Sequence, residues 1–193
     1  MRLICSAIKE EIQYLSLLGQ DIALALGIGY LEAAINLENY LLNNQEEKIT
    51  EICFLGTAGS YKKNLELGEL VQVKTSSLLN LGTILNHAYL AKSFADWQLV
   101  ENTNLDLKKV HCLSSLEITT NYETSKKISG KYKSDFLVEN MELYGVAQIA
   151  QKHQIECSSI LAITNYTDAQ AHENWQKNQE KCSWKLGAVN KSR

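Results

Sequence analysis

Proline is missing from all 193 residues, so turns fall to Gly, Asn, Asp and Ser. Arginine is nearly missing as well, confined to Arg2 and Arg193. A site that grips phosphate through paired guanidinium forks has little to draw on. No apolar run approaches the roughly 20 residues of a membrane span. The opening Met1-Arg2-Leu3-Ile4-Cys5-Ser6-Ala7 is too short for a secretory signal, and the Lys9-Glu10-Glu11 that follows is wrong for one. No C-x-x-C pair occurs among the five cysteines, Cys5, Cys53, Cys112, Cys157 and Cys182. Most lie in or beside apolar runs, which predicts small, reduced, buried thiols in a cytoplasmic protein. There is no basic stripe either. Lysines pair only at 62–63, 108–109 and 126–127, and the net charge of −3 argues against nucleic acid as a partner. His87, His111, His153 and His172 are scattered, without metal-ligand spacing, and are expected at the surface or at helix ends. Neither a metal nor another cofactor is expected.

What is present is a globular composition, 45% apolar and 21% charged. No linker, repeat or low-complexity segment divides it, so residues 1–193 are expected to form a single domain. Short apolar runs at 2–7, 21–26, 49–55, 70–75, 110–113, 136–138 and 158–163 read as strands. Helical patterns lie between them at about 9–18, 30–42, 82–96, 121–128, 139–153 and from 169 onward. This alternation predicts an α/β fold: a central mixed, largely parallel sheet flanked by helices on both faces, in three layers. In such sheets ligands gather beyond the carboxyl ends of strands. The candidate loops follow residues 7, 26, 55 and 163.

Four segments at or near those loops, in this order, resemble the nucleoside phosphorylase superfamily, in particular its bacterial nucleosidases. They are Ser6-Ala-Ile-Lys-Glu-Glu-Ile12, Gly27-Ile-Gly-Tyr-Leu-Glu-Ala-Ala34, Gly56-Thr-Ala-Gly-Ser60 with Leu67-Gly-Glu-Leu-Val71, and Val138-Glu-Asn-Met-Glu-Leu-Tyr-Gly-Val-Ala147 continuing to Ile163-Thr-Asn165. The matching family segments are Ala-Met-Glu-Glu-Glu, Gly-Ile-Gly before a helix, Gly-Ser-Ala-Gly-Gly with Gly-Asp-Ile-Val, and Val-Glu-Met-Glu with Ile-Ser-Asp. Residues 163–175 are also similar to futalosine hydrolases, which carry Ile-Ser-Asn-Tyr and then a tryptophan. The resemblance spans nearly the whole chain, except about 76–115. It implies cleavage of the N-glycosidic bond of a purine nucleoside, and assembly as a homodimer or a higher homo-oligomer.

Carried over residue by residue, the resemblance makes Glu11 the group that positions and activates a water, with Glu10 as the alternative if the register slides by one. Glu142 would accept hydrogen bonds from the ribose 2′- and 3′-hydroxyls, two acceptor oxygens meeting two vicinal donors. Met141 would pack on the ribose face. The plainer reading of this pair is a helix-start glutamate and a core methionine. Thr57, Ala58 and Gly59 would line the nucleoside site, unless the segment is simply a turn after a strand. Gly27-Ile28-Gly29 either cradles an anion or only turns the chain.

Asn165 matches the base-recognition position, where the methylthioadenosine/S-adenosylhomocysteine nucleosidases have Asp. An amide cannot supply a proton at neutral pH, but its donor and acceptor suit the 6-oxo and N7 edge of hypoxanthine or guanine. Asp168 is either a nearby acid or a helix cap. The family's arginine ahead of the Gly-rich segment is replaced by Ile52-Cys53-Phe54-Leu55, so water is favoured over phosphate as nucleophile. A phosphorolytic enzyme and a non-catalytic nucleoside-binding paralogue remain the alternatives.

Overall fold

The computed structural model describes residues 1–189. Arg193 and the end of the last predicted helix lie outside the described residues. Among the described residues, six helices and eight strands follow one another as β1 (Arg2–Ser6), α1 (Lys9–Ile12), β2 (Ile22–Ala25), α2 (Tyr30–Asn43), β3 (Glu51–Ser60), β4 (Leu70–Leu78), α3 (Leu81–Ile84), β5 (Trp97–Gln98), β6 (Lys108–Ser114), α4 (Tyr122–Lys131), β7 (Leu137–Glu139), α5 (Leu143–Lys152), β8 (Glu156–Tyr166) and α6 (Ala171–Val189).

All the strands join one eight-stranded sheet. β1 runs parallel to β2 and to the first half of β3, and β3 runs parallel to β8 along its whole length. β8 turns to pair antiparallel with β4, β4 pairs parallel with β6 and β6 with β7. β7 then returns, antiparallel, to the far end of β3 at Gly59 and Ser60. The sheet is mixed and mostly parallel, as expected, and β3-β8-β4-β6-β7 close on themselves as a ring.

Side-chain alternation explains the layers. Leu3, Cys5, Ile52 and Phe54 point into one apolar cluster with Ala33, Leu37 and Leu41 of α2 and Leu143, Val146 and Ala150 of α5. Their neighbours Ile4, Cys53 and Leu55 point the other way, against Cys182 and Leu186 of α6 and Ile12 beside it. Strands buried on both faces read as unbroken apolar runs, which is why these segments showed no period of two. A third cluster, with Leu113, Ile128 and Leu137, lies under α4.

Three expectations about elements are corrected. The Gly56–Ser60 segment is not a loop but the second half of β3, because β8 on one edge and β7 on the other hydrogen-bond it there. The helix expected at 82–96 is one turn, α3; most residues beyond it are exposed, and Asn86 adopts a left-handed φ of 59° that breaks the ladder. The helix expected from Lys9 to Leu18 ends at Ile12, and Leu17 and Leu18 are exposed. An apolar period without a surface to cover does not hold a helix.

Candidate active site

A cavity of about 260 Å³ opens where β1, β3, β7 and β8 end or converge. Glu11, Thr57, Ala58, Gly59, Met141, Glu142 and Asn165 all line it. These residues come from four separate stretches of chain, and the parallel register of β1, β3 and β8 brings the ends of those strands together.

Glu11 sits in the short helix after β1 and is 6% exposed. Its Oε1 accepts the Thr57 backbone N–H and the Thr57 hydroxyl, both at 2.9 Å, and its Oε2 accepts the Ala7 N–H at 3.1 Å. Burial raises its carboxyl above the ordinary value of 4.5, against the lowering effect of these bonds. The Thr57 hydroxyl also accepts the indole N–H of Trp175 at 3.3 Å, tying α6 to the same corner.

Glu142, at the start of α5, is 4% exposed. Its Oε1 accepts the Gly29 N–H at 2.8 Å and its Oε2 accepts an Asn140 amide N–H at 3.0 Å. Gly29 has a φ of 88°, open to glycine and strained for other residues, and this conformation aims its N–H at the carboxylate. The Gly27-Ile28-Gly29 turn therefore holds a carboxylate of its own chain. Burial pushes Glu142 up to about 7, and the nearby Glu11 charge adds to it.

Asn140 organises the floor, a role not foreseen from its place in the Val138–Ala147 segment. Its Oδ1 caps α5 by accepting the N–H groups of Glu142 and Leu143 at 3.0 and 2.9 Å, while its amide nitrogen donates to the Thr57 carbonyl and to Glu142, both at 3.0 Å.

Asn165 reaches the cleft through an irregularity. The β3–β8 register shifts between Ala58 and Gly59, so that Ala58 faces Ile163 and Gly59 faces Asn165, leaving Thr164 as the extra residue of a bulge. The Thr164 hydroxyl donates to Asn165 Oδ1 at 2.8 Å, and Asn165 Nδ2 donates to the Tyr166 carbonyl at 3.2 Å. Each amide atom keeps one further hydrogen-bonding position.

Asp168 is not brought to the cleft. It lines a second cavity with Tyr61, Lys62 and Lys126, and its carboxylate accepts the Gln170 N–H at 3.0 Å ahead of α6. Glu10 is exposed and does not line the cleft. His172 is exposed at the start of α6 but borders the cleft, stacked on Trp175 at 6.0 Å between centroids. His111 departs from its expected surface or helix-end position: it lies on β6, bonded to the Ser77 hydroxyl at 2.6 Å.

Glu139 was missed, having been read only as a possible helix start. It is the last residue of β7, 8% exposed, and lines the cleft. Its Oε2 accepts the Tyr61 hydroxyl at 2.8 Å and its Oε1 the Thr119 N–H at 3.1 Å. Burial pushes it up to about 7. With Glu117, the cleft has four carboxyl groups, and among the described residues no lysine or arginine lines it. Arg2 is instead ion-paired with Asp21.

Fold and cleft together define an α/β protein of closed-ring type with an acidic, ligand-sized pocket at its strand ends. The chain belongs to the phosphorylase superfamily, whose family model matches residues 10–191, and so to the nucleoside phosphorylases and nucleosidases. No curated protein matches the sequence significantly. Among solved structures, it is similar to a futalosine hydrolase mutant of Helicobacter pylori, with a TM-score of 0.81 and 19% identity over 99% of this chain and 96% of that one. The 5′-methylthioadenosine/S-adenosylhomocysteine nucleosidase of H. pylori, with butyl-thio-DADMe-Immucillin-A, gives a TM-score of 0.82 at 18% identity over 99% and 96%. The enzyme of that name from S. pneumoniae, with a transition-state inhibitor, gives 0.76 at 13% over 100% and 97%. At such identities the likeness establishes the shared fold. No helix among the described residues is long and apolar enough to cross a membrane.

Proposed function

We propose that the protein is a purine nucleosidase, hydrolysing the N-glycosidic bond of a 6-oxopurine nucleoside of the inosine or futalosine type. The observation that carries this reading is that Glu11, Glu142 and Asn165, far apart in sequence, line one cavity. Breaking the C1′–N9 bond builds positive charge on the sugar and negative charge on the base. Glu11, with both oxygens fixed by donors, orients a water and takes its proton as the oxygen bonds C1′. Glu142 accepts the ribose hydroxyls, and Met141 covers the sugar face. Thr57, Ala58 and Gly59 form the wall between them, and Asn165 reads the base edge with its two open positions.

Water is the nucleophile in this reading. A phosphate dianion entering the cleft finds no lysine or arginine among the described residues to neutralise it, whereas a cationic sugar is attracted to the carboxylates that are ionised. The relatives named for futalosine and for methylthioadenosine support a purine nucleoside as substrate; the 6-oxopurine preference rests on Asn165.

The partner we assign to the exposed apolar surface beside the cleft is a second copy of the chain. Ile28 and Ile118 line the cavity yet are 60% and 50% exposed, and Leu31, Ile35 and Leu42 extend this surface along one face of α2.

The test is a panel of inosine, futalosine, adenosine and methylthioadenosine, each with and without phosphate. Free ribose or its 5′-substituted form should appear at the same rate in both conditions, fastest from the 6-oxopurines. Ribose 1-phosphate products would replace this reading with phosphorolysis. Binding without turnover would make the chain a nucleoside-binding paralogue.

A further inference from the structure

A purine leaving as an anion departs faster when it is protonated, and neither residue beside the base accounts for that proton. Asn165 has none to give, and Asp168 does not line the cleft. Three carboxyl groups of the cleft are held by hydrogen bonds. Glu11 holds three donated bonds on its two oxygens. Glu142 is fixed by Gly29 and Asn140.

Glu139 is the remaining buried one, and it lies by the base-recognition group. A Cβ placed on Gly59 would stand 2.8 Å from Asn165 Nδ2 and 3.4 Å from Glu139 Oε1. A side chain at Gly59 would collide with both groups, so the bare glycine is what lets amide and carboxyl approach the same point. Thr119 N–H reaches Glu139 Oε1, the Tyr61 hydroxyl reaches Oε2, and the Thr119 side chain also bonds the carboxyl, which leaves one of its four positions open.

We propose that Glu139 is the general acid of this site, donating the proton that the departing purine takes up while Asn165 holds its edge. The inference rests on the nucleosidase reading above. The C1′–N9 bond breaks with its electron pair going to the purine, and the Glu139 carboxyl proton moves to N7 of that purine. The water oxygen bonds C1′ and its proton passes to the Glu11 carboxylate. One water adds across the bond in total, and the two glutamates return to their starting states by proton exchange with solvent.

The group must be protonated near neutral pH, and its surroundings favour that. The titratable groups facing it are Tyr61 after β3 and Cys112 on β6, with Glu11, Glu117, Glu142 and His172 elsewhere in the cleft. Desolvation holds Glu139 at about 7, and the Tyr61 hydrogen bond is one of the effects that keep it from going higher.

The experiment uses the full chain, wild type, Glu139→Gln and Tyr61→Phe, with inosine and with 4-nitrophenyl β-D-ribofuranoside. Nitrophenolate leaves without being protonated. Glu139→Gln should lower kcat/KM on inosine by about 10²–10³-fold, with no more than a few-fold loss on the nitrophenyl riboside. For the wild type, kcat/KM on inosine should fall as pH rises past about 7, and Tyr61→Phe should move that limb upward. Equal losses on both substrates in Glu139→Gln, with the limb unmoved in Tyr61→Phe, would overturn the proposal and leave Glu139 a structural carboxylate. Full activity of Glu139→Gln on inosine would overturn it as well. If Glu139→Gln does not fold, the Tyr61→Phe pH profile decides alone. A wild type that cleaves neither substrate would overturn the nucleosidase reading itself.

Discussion

Glu11 and Glu142 have nearly the same burial but different bonding, and single substitutions should separate their roles. In Glu11→Gln the new amide NH₂ faces N–H or O–H donors from Ala7 or Thr57, and the proton acceptor is lost. We expect kcat to fall about 10²–10⁴-fold with KM little changed. Glu142→Gln should chiefly raise KM, since a ribose anchor acts on binding. Steady-state kinetics on inosine separates the two outcomes.

The same carboxyls make stability depend on pH. Glu11, Glu139 and Glu142 are all raised above 4.5 in the fold, two of them to about 7. The folded state therefore binds protons more tightly than the unfolded chain between about 4.5 and 7. Their contribution is full below that window and is lost as pH rises through it, by an amount on the order of a few kcal/mol. His111, lowered by burial, opposes this just below its ordinary 6.5. Melting curves should show a higher Tm at mildly acidic pH than at pH 8, with a flatter profile in Glu139→Gln; a Tm rising toward pH 8 would contradict the assignment.

Residue types carried part of this site. Glu142 and Asn165 stood out because they lay inside recognisable segments. Glu139 lay inside one of them too, but a glutamate at the end of an apolar run looks like a helix start until the fold shows it walled in by Tyr61 and Thr119.

Among the elements, α5 depends most on one side chain. Asn140 both caps it and holds Thr57 and Glu142 in place. Asn140→Ala should cost about 1–2 kcal/mol in denaturant unfolding and should also weaken substrate binding, because the capped helix start carries the ribose anchor. Loss of stability with unchanged KM would confine Asn140 to the cap.

β1, β8, α2 and α5 were legible because a strand buried on both faces is an apolar run and a covered helix keeps its period; β2, only partly buried, was legible as a short apolar run. The second half of β3 was not, since Gly56, Ala58 and Gly59 have weak strand preference and only pairing on both edges holds them extended. The bulge at Thr164, which sets where Asn165 projects, leaves no local mark at all. The stretch after α3 failed for the opposite reason: its apolar residues suggested a helix, yet Tyr89 and Phe94 are 88% and 53% exposed.

Across the whole molecule, the five cysteines are buried. Burial raises the thiols of Cys5, Cys112, Cys157 and Cys182, the last to about 11. The native protein should leave a thiol reagent such as DTNB unreacted, while the chain in guanidinium chloride should titrate five thiols. Rapid reaction of the native protein would show a more open core. The proposed pairing of two copies through α2 is tested by Leu31→Lys with Ile35→Lys: light scattering should report half the wild-type mass, and an unchanged mass would remove that face from the interface.

The closure of the sheet also bears on synthesis. β3 is finished only when β7 and β8 dock on its two edges, and both are encoded more than 75 residues later. A chain emerging from the ribosome therefore carries a strand paired only with β1, along its first half, until β8 is released. Nascent chains stalled before β8 should be protease-sensitive and prone to chaperone capture, becoming resistant in one step once that strand and the helix behind it clear the exit tunnel.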